Sequence, residues 1–274
     1  MVWVRKMKPF DVIRTAALRG VLLKKVLGIA AAYGLLSVIG LVLLADYGRG
    51  TAKPGIFDLV ADLSGVHGAT NQNMFIIFGI PIMVTVLTLI YDEHEKSLYV
   101  LKCRTRFCTW HAHVCVAIGI SFLLACFVVT VSFMAGLCLV GPENTWARAD
   151  GTIVQALRDR QLFQSISDHL AAYKIIWVIF ISKFLGFLMI AFSTLFLKQF
   201  IKSGAVICIL LLAIAGIDYV EWLPFPVFDR AASLSLIDWI RPLVTLYHGV
   251  YLLVVTLMLY AITGMIYERK DFLS

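Results

Sequence analysis

Charge is scarce in this chain: Asp, Glu, Lys and Arg make up 15% of its 274 residues, where soluble domains carry about a quarter. That shortage excludes a coiled coil, whose helices hold charge on every turn. With 61% hydrophobic residues, the composition also excludes a disordered chain and a single water-soluble globule. A second absence is the phosphate-binding pattern G-x-x-x-x-G-K-[ST], so ATP hydrolysis by that route is not expected of this chain. The sequence also lacks internal repeats and low-complexity tracts. The cysteines (Cys103, Cys108, Cys115, Cys126, Cys138 and Cys208) fall in apolar runs or in one basic loop, and no disulfide framework is indicated. What the chain does have is long apolar runs, and a polytopic membrane protein is the class left.

A bilayer core of about 30 Å needs roughly 20 apolar residues in a helix. Six stretches qualify: 26–45, 74–90, 114–140, 175–196, 203–220 and 244–266. The fifth is the shortest, because Lys202 and Asp218 bound it. The runs are continuous and do not alternate with a period of two, so helices are expected and not a barrel. The expected fold is all-α and integral to the membrane, a single domain with six spans and a first span kept as an anchor.

Lys and Arg set the orientation of such a chain. Fifteen of them lie in the N-terminal segment, the second-to-third and fourth-to-fifth connections and the tail, against eight in the longer loops of the other side. Both termini are therefore expected in the cytoplasm. The net charge of +7 is then a topological signal, and nucleic acid is not expected as a partner.

Several segments are neither spans nor plain turns. Before the first span, Phe10, Ile13 and Ala17 share a helical face with Arg19 opposite, while Arg14 breaks the pattern. An interfacial helix on membrane lipid is expected there, the alternative being an unstructured basic tail. Between the second and third spans, Asp92, Glu93, Glu95 and Lys96 are followed by Leu98 and Leu101, then Arg104 and Arg106. This order suits a short cytoplasmic helix with an apolar side for a partner protein, or else a charged face solvated at the lipid headgroups. The 141–173 connection is polar, with a short helix expected around 153–165. Residues 218–242 mix Trp222 and Trp239 with prolines and charge, as a re-entrant or interfacial hairpin or an ordinary interfacial loop would.

The same residues bear on other chemistry. Cys103, Cys108, His111 and His113 are competent zinc ligands, but their spacing fits no closed tetrahedral site, and no metal is expected. His248 lies alone within a span, which is too little for a haem held by two histidines. Ser132, Ser193 and His248 lack the turn a nucleophilic serine needs. Lys183 is the one clear charge deep in a span, about 12 Å from its outer end. It either lines a translocation path for an anionic substrate or snorkels to the interface.

The order of these segments resembles the type-2 permease subunits of ATP-binding-cassette exporters, over essentially the whole chain. The resemblance rests on the basic amphipathic start, the six spans, the acidic-then-basic loop from Glu93 to Arg106, the apolar segment 218–242 and the ending from Tyr267 to Phe272. Lys96-Ser97 stands where the family commonly shows Gly-Thr, and His111 and His113 stand where a Lys is common. The resemblance implies a non-catalytic chain in the cytoplasmic membrane of a bacterial cell, paired with a second permease and docked on separate ATPase subunits that bind ATP and Mg²⁺. It implies a coupling helix comprising Asp92, Glu93, Glu95, Lys96, Leu98, Leu101, Arg104 and Arg106, with the 198–202 turn as a second contact. The cargo implied is amphipathic: an antimicrobial peptide, lipid or drug. The alternative is a self-contained secondary transporter or integral-membrane enzyme.

Overall fold

The computed structural model describes residues 20–47, 55–61, 75–96, 106–148, 151, 153–154, 163–164, 170–234 and 241–269. The described residues of the apolar runs are helical over nearly their whole length. Helix α1 is Gly20–Tyr47 and α2 is the short Ile56–Ala61; α3, Ile80–Lys96, is entered through a π-helical turn at Phe75–Gly79. Then come α4 (Arg106–Val140), α5 (Ala172–Lys198), α6 (Gly204–Tyr219), the four-residue α7 (Asp229–Ala232) and α8 (Pro242–Arg269). There is no strand among the described residues. Among the described residues, four stretches are long and apolar enough to cross a membrane: Phe75–Asp92, Thr109–Val140, Ala172–Lys198 and Leu243–Arg269. Leu27–Leu36 and Gly204–Tyr219 are shorter apolar helices. This is the build of an all-α membrane protein: in lipid, backbone N–H and C=O groups must be satisfied within the chain, and a helix does that locally.

The helix ends show how the chain leaves apolar surroundings. Helix α4 stops where Gly141 adopts φ 84° and its N–H bonds the Leu137 carbonyl at 3.1 Å. Helix α6 ends in a Schellman arrangement: Trp222 N–H reaches the Ile217 carbonyl at 3.3 Å and Glu221 N–H the Asp218 carbonyl at 3.2 Å. The left-handed residue of that cap is Glu221, at φ 57°, a position usually held by glycine.

Helix α5 is the hub, packed against α3, α4, α6 and α8. Because lipid tails are as apolar as leucine, close packing of small residues holds such helices together better than apolar area does. Gly186 illustrates this: a Cβ there would lie 2.5 Å from the Ala232 side chain and 3.0 Å from the Phe75 ring. A Cβ on Gly79 would meet the Phe187 ring at 2.8 Å. Helix α8 is the reverse case, with 17% of its apolar stretch buried against 61% for α5. It turns Leu246, Val250, Leu253, Leu257 and Met258 outwards.

We call the end of the bundle that carries Asp92, Lys198 and Tyr267 basal, and the end that carries Phe75, Trp146 and Asp218 apical. The expected free-standing helix between the second and third spans takes a different form at its margins. Asp92, Glu93, Glu95 and Lys96 continue α3, and Arg106 already opens α4. No glycine or proline interrupts 82–96, so nothing in the chain stops α3 at Ile90. Leu98, Leu101 and Arg104 lie outside the described residues, as do Phe10, Ile13, Arg14, Ala17 and Arg19 of the expected interfacial helix. Of the short helix expected around 153–165, residues 153–154 and 163–164 are helical.

Candidate functional site

The basal end gathers two of the connections that the sequence singled out. Asp92, in the penultimate turn of α3, accepts from Lys198 at the end of α5, Nζ to Oδ1 2.8 Å. Lys198 Nζ also donates to the Lys202 carbonyl at 2.5 Å and lies 6.0 Å from the Tyr91 ring centroid. Gln199 Nε2 donates to the Tyr91 hydroxyl at 3.3 Å and to the Leu195 carbonyl at 3.1 Å. A carboxylate near a helix C-terminus opposes the helix dipole, and Lys198 offsets that repulsion for Asp92. The 199–203 turn is held against α3, where Gly204 sits close enough that a Cβ would meet Thr88 Oγ1 at 2.8 Å.

Beneath this pair lies an aromatic cluster. His113, 2% exposed, stacks on Tyr91 with centroids 4.7 Å apart and meets the Tyr267 ring edge-on at 6.0 Å. Trp110 stacks on Tyr260 at 5.9 Å and lies 5.9 Å from Tyr267 and 6.5 Å from Phe192. Rings from α3, α4, α5 and α8 thus close the basal core. The histidines weighed as metal ligands are ring partners here. His111 lies edge-on to Tyr260 at 6.4 Å, and no three His, Cys, Asp or Glu among the described residues group to hold a metal ion. Cys103 lies outside the described residues, and of the Cys108 side chain nothing is described.

At the apical end two carboxylates organise the connections. Asp218, fully buried, accepts from the backbone N–H groups of Val227, Phe228 and Arg230 at 3.0, 3.0 and 3.2 Å, and from Arg230 Nε at 2.9 Å. The same guanidinium donates to the carbonyls of Leu223 and Phe225, each at 2.8 Å, and the Tyr251 hydroxyl donates to the Val227 carbonyl at 3.0 Å. These bonds fix the segment 220–234 as a turn, and Trp222 projects from its tip, 80% exposed. Trp239 lies outside the described residues. The second carboxylate, Asp58, accepts from Trp146 Nε1 at 2.6 Å, Thr145 Oγ1 at 3.1 Å and Gly55 N–H at 2.7 Å. Around it Ile56, Phe57, Trp146, Leu170, Ile175 and Ile179 form a second apolar core, so two apical connections are folded into one cap.

Lys183 is 3% exposed. Its Nζ donates to Ser233 Oγ at 3.1 Å and lies 5.2 Å from the centroid of Phe75, while the neighbouring Ser182 hydroxyl donates to the Ala232 carbonyl at 3.0 Å. The lysine singled out for a path thus ties α5 to the apical turn and to the π-helical entry of α3. Ser132, weighed as a nucleophile, donates its hydroxyl to Val128 of its own helix at 2.7 Å. Sequence reasoning named the 198–202 turn but missed the pairing of Lys198 with Asp92, and it missed Asp58, Arg230 and the Trp110 cluster altogether. Asp58 and Trp146 are 88 positions apart, and no local pattern joins them.

No family model matches the chain, and no curated protein or solved structure matches it either.

Proposed function

We propose that this chain is the membrane-spanning subunit of an ATP-driven exporter of the type-2 ATP-binding-cassette permease kind. Six helices cross the membrane with both termini in the cytoplasm, so the basal end faces the ATPase. Two copies, or this chain and a related one, enclose a path for an amphipathic cargo: a peptide, a lipid or a drug. Two separate nucleotide-binding subunits supply the hydrolysis of ATP with Mg²⁺, and this chain performs no chemistry.

What supports the reading is the Asp92–Lys198 contact. The resemblance assigns motor contacts to the 92–106 connection and to the 198–202 turn, which are separated by about a hundred residues in sequence. Their margins meet at a salt bridge, so a push on either is felt by both α3 and α5. The resemblance also assigns Glu93, Glu95, Arg104 and Arg106 to the first of these contacts.

Assembly tests it. The chain is co-expressed with a candidate ATPase subunit carrying the phosphate-binding pattern and isolated through a tag on the chain alone. The expected result is a stoichiometric complex whose ATP turnover rises with one class in a panel of amphipathic peptides, lipids and drugs. Joint charge reversal at Glu93, Glu95, Arg104 and Arg106 is expected to dissociate it. A chain that purifies without any ATPase and transports cargo in vesicles on an ion gradient alone would refute the proposal.

A further inference from the structure

Helix α5 grips α3 at two levels. Lys183 lies over Phe75 at the apical entry of α3, and Lys198 lies over Tyr91 and pairs with Asp92 near its basal end. The two helices run in the same direction, so these are the top and bottom of one interface.

The grips differ in their access to water. Lys183 and Phe75 are 3% and 2% exposed, and around them Gly186, Ala232 and the Phe75 ring are in close contact. Moving Lys183 away would strand a charge in an apolar setting, which is among the costliest changes a bundle can undergo. At the basal grip the Lys198 side chain is 4% exposed, but that of Asp92 is 43% exposed. Water and salt therefore compete for the carboxylate. Lys198 also keeps the Lys202 carbonyl when Asp92 departs, so it is not left without an acceptor. The apical end of α3 adds a compliant element, since Phe75–Gly79 is π-helical and such turns often mark functional bends.

We infer that Asp92 and Lys198 form a latch. Its release lets the last turns of α3 swing away from α5 at the basal end, while Lys183, Phe75 and the π-helical turn hold the apical end as a pivot. The inference rests on the geometry of α3 and α5 and does not depend on which motor, if any, moves them.

Amide hydrogen exchange on the whole chain in lipid nanodiscs tests it. With Asp92→Asn or Lys198→Met, exchange in 88–92 and 195–203 is expected to rise about tenfold, a value between those for exposed and buried pairs. Exchange in 75–81 and 180–187 should stay within about twofold of the parent. Lys198→Arg, which keeps the charge, should stay close to the parent at both ends. The unmodified chain gives an independent reading: raising salt from about 0.05 M to about 0.5 M screens the half-exposed carboxylate and should loosen the basal segments alone. Equal loosening at both ends would mean a structural brace, and no basal loosening would mean a pair of no consequence. Either result overturns the latch.

Discussion

Asp218 is a buried carboxylate that accepts from Val227, Phe228 and Arg230 to fix the turn between α6 and α7, and the cost of removing it can be worked out from those contacts. In Asp218→Ala the N–H groups of Val227, Phe228 and Arg230 lose their acceptor, and the guanidinium of Arg230, 21% exposed, loses its counter-charge. Breaking one partner out of a buried pair costs about 3–5 kcal/mol, and each stranded donor costs about 1–3 kcal/mol. These do not add in full, because the tip of the turn is exposed and its N–H groups can turn to water. The expected loss is therefore about 3–5 kcal/mol, or on the order of 10 °C in Tm at about 2–4 °C per kcal/mol for a chain of this size. Asp218→Asn keeps the shape, but its amide nitrogen faces donors at Phe228 and Arg230, so it should lose about half as much. Arg230→Ala leaves the three backbone donors on Asp218 and should fall between the two. The assay is thermal unfolding in nanodiscs followed by tryptophan fluorescence, with limited proteolysis of 220–234 as a local readout. A shift below about 2 °C for Asp218→Ala would refute the claim that this carboxylate organises the apical turn.

Three further outcomes follow from the same contacts. Asp58→Ala leaves the Trp146 indole N–H and the Thr145 hydroxyl without their acceptor; a loss of about 2 kcal/mol is expected, with new protease sensitivity in 141–171. Gly186→Leu drives side-chain atoms into Ala232 and Phe75, and overpacking of about 1–3 kcal/mol or more should appear as a lowered Tm, whereas Gly28→Leu, which meets nothing within 4 Å, should leave it unchanged. Glu221→Gly relieves a left-handed backbone and is expected to raise stability by about 0.5–1 kcal/mol, read as a higher Tm.

The apolar runs were legible because each is long enough that periodicity is unnecessary, and length with composition alone identifies a helix in lipid. Their ends were not. Ile90 was an expected end only because charge begins at Asp92, yet charge does not terminate a helix; a missing hydrogen-bond partner or a glycine does. Gly141 ends α4 as the sequence suggests, whereas α6 ends on Glu221, which no pattern announces. Lys183 could be picked out because a charge inside an apolar run is visible in one dimension. Lys198 was legible only as the start of the 198–202 turn, since at a helix end it looks like any topogenic lysine. What sets it apart is the carboxylate of Asp92, brought to 2.8 Å by the packing of α3 on α5.

The scarcity of charge in the chain acquires a physical meaning from these positions. In a bilayer the apolar faces of α5 and its neighbours gain little by meeting one another, since lipid is as good a partner. Specific register then depends on the few groups that lipid cannot satisfy. Asp58, Lys183, Asp218 and Arg230 hold the apical end, and Asp92 with Lys198 holds the basal one. The sixteen residues from Lys183 to Lys198, about 22 Å of helix, carry the position of one end to the other, because most of what lies between them is packed ring and aliphatic carbon. The basal pair is the more solvated of the two anchorages along this rod. A force applied at the basal end would therefore be taken up first by separation of α3 from α5, and only afterwards by the apical turn.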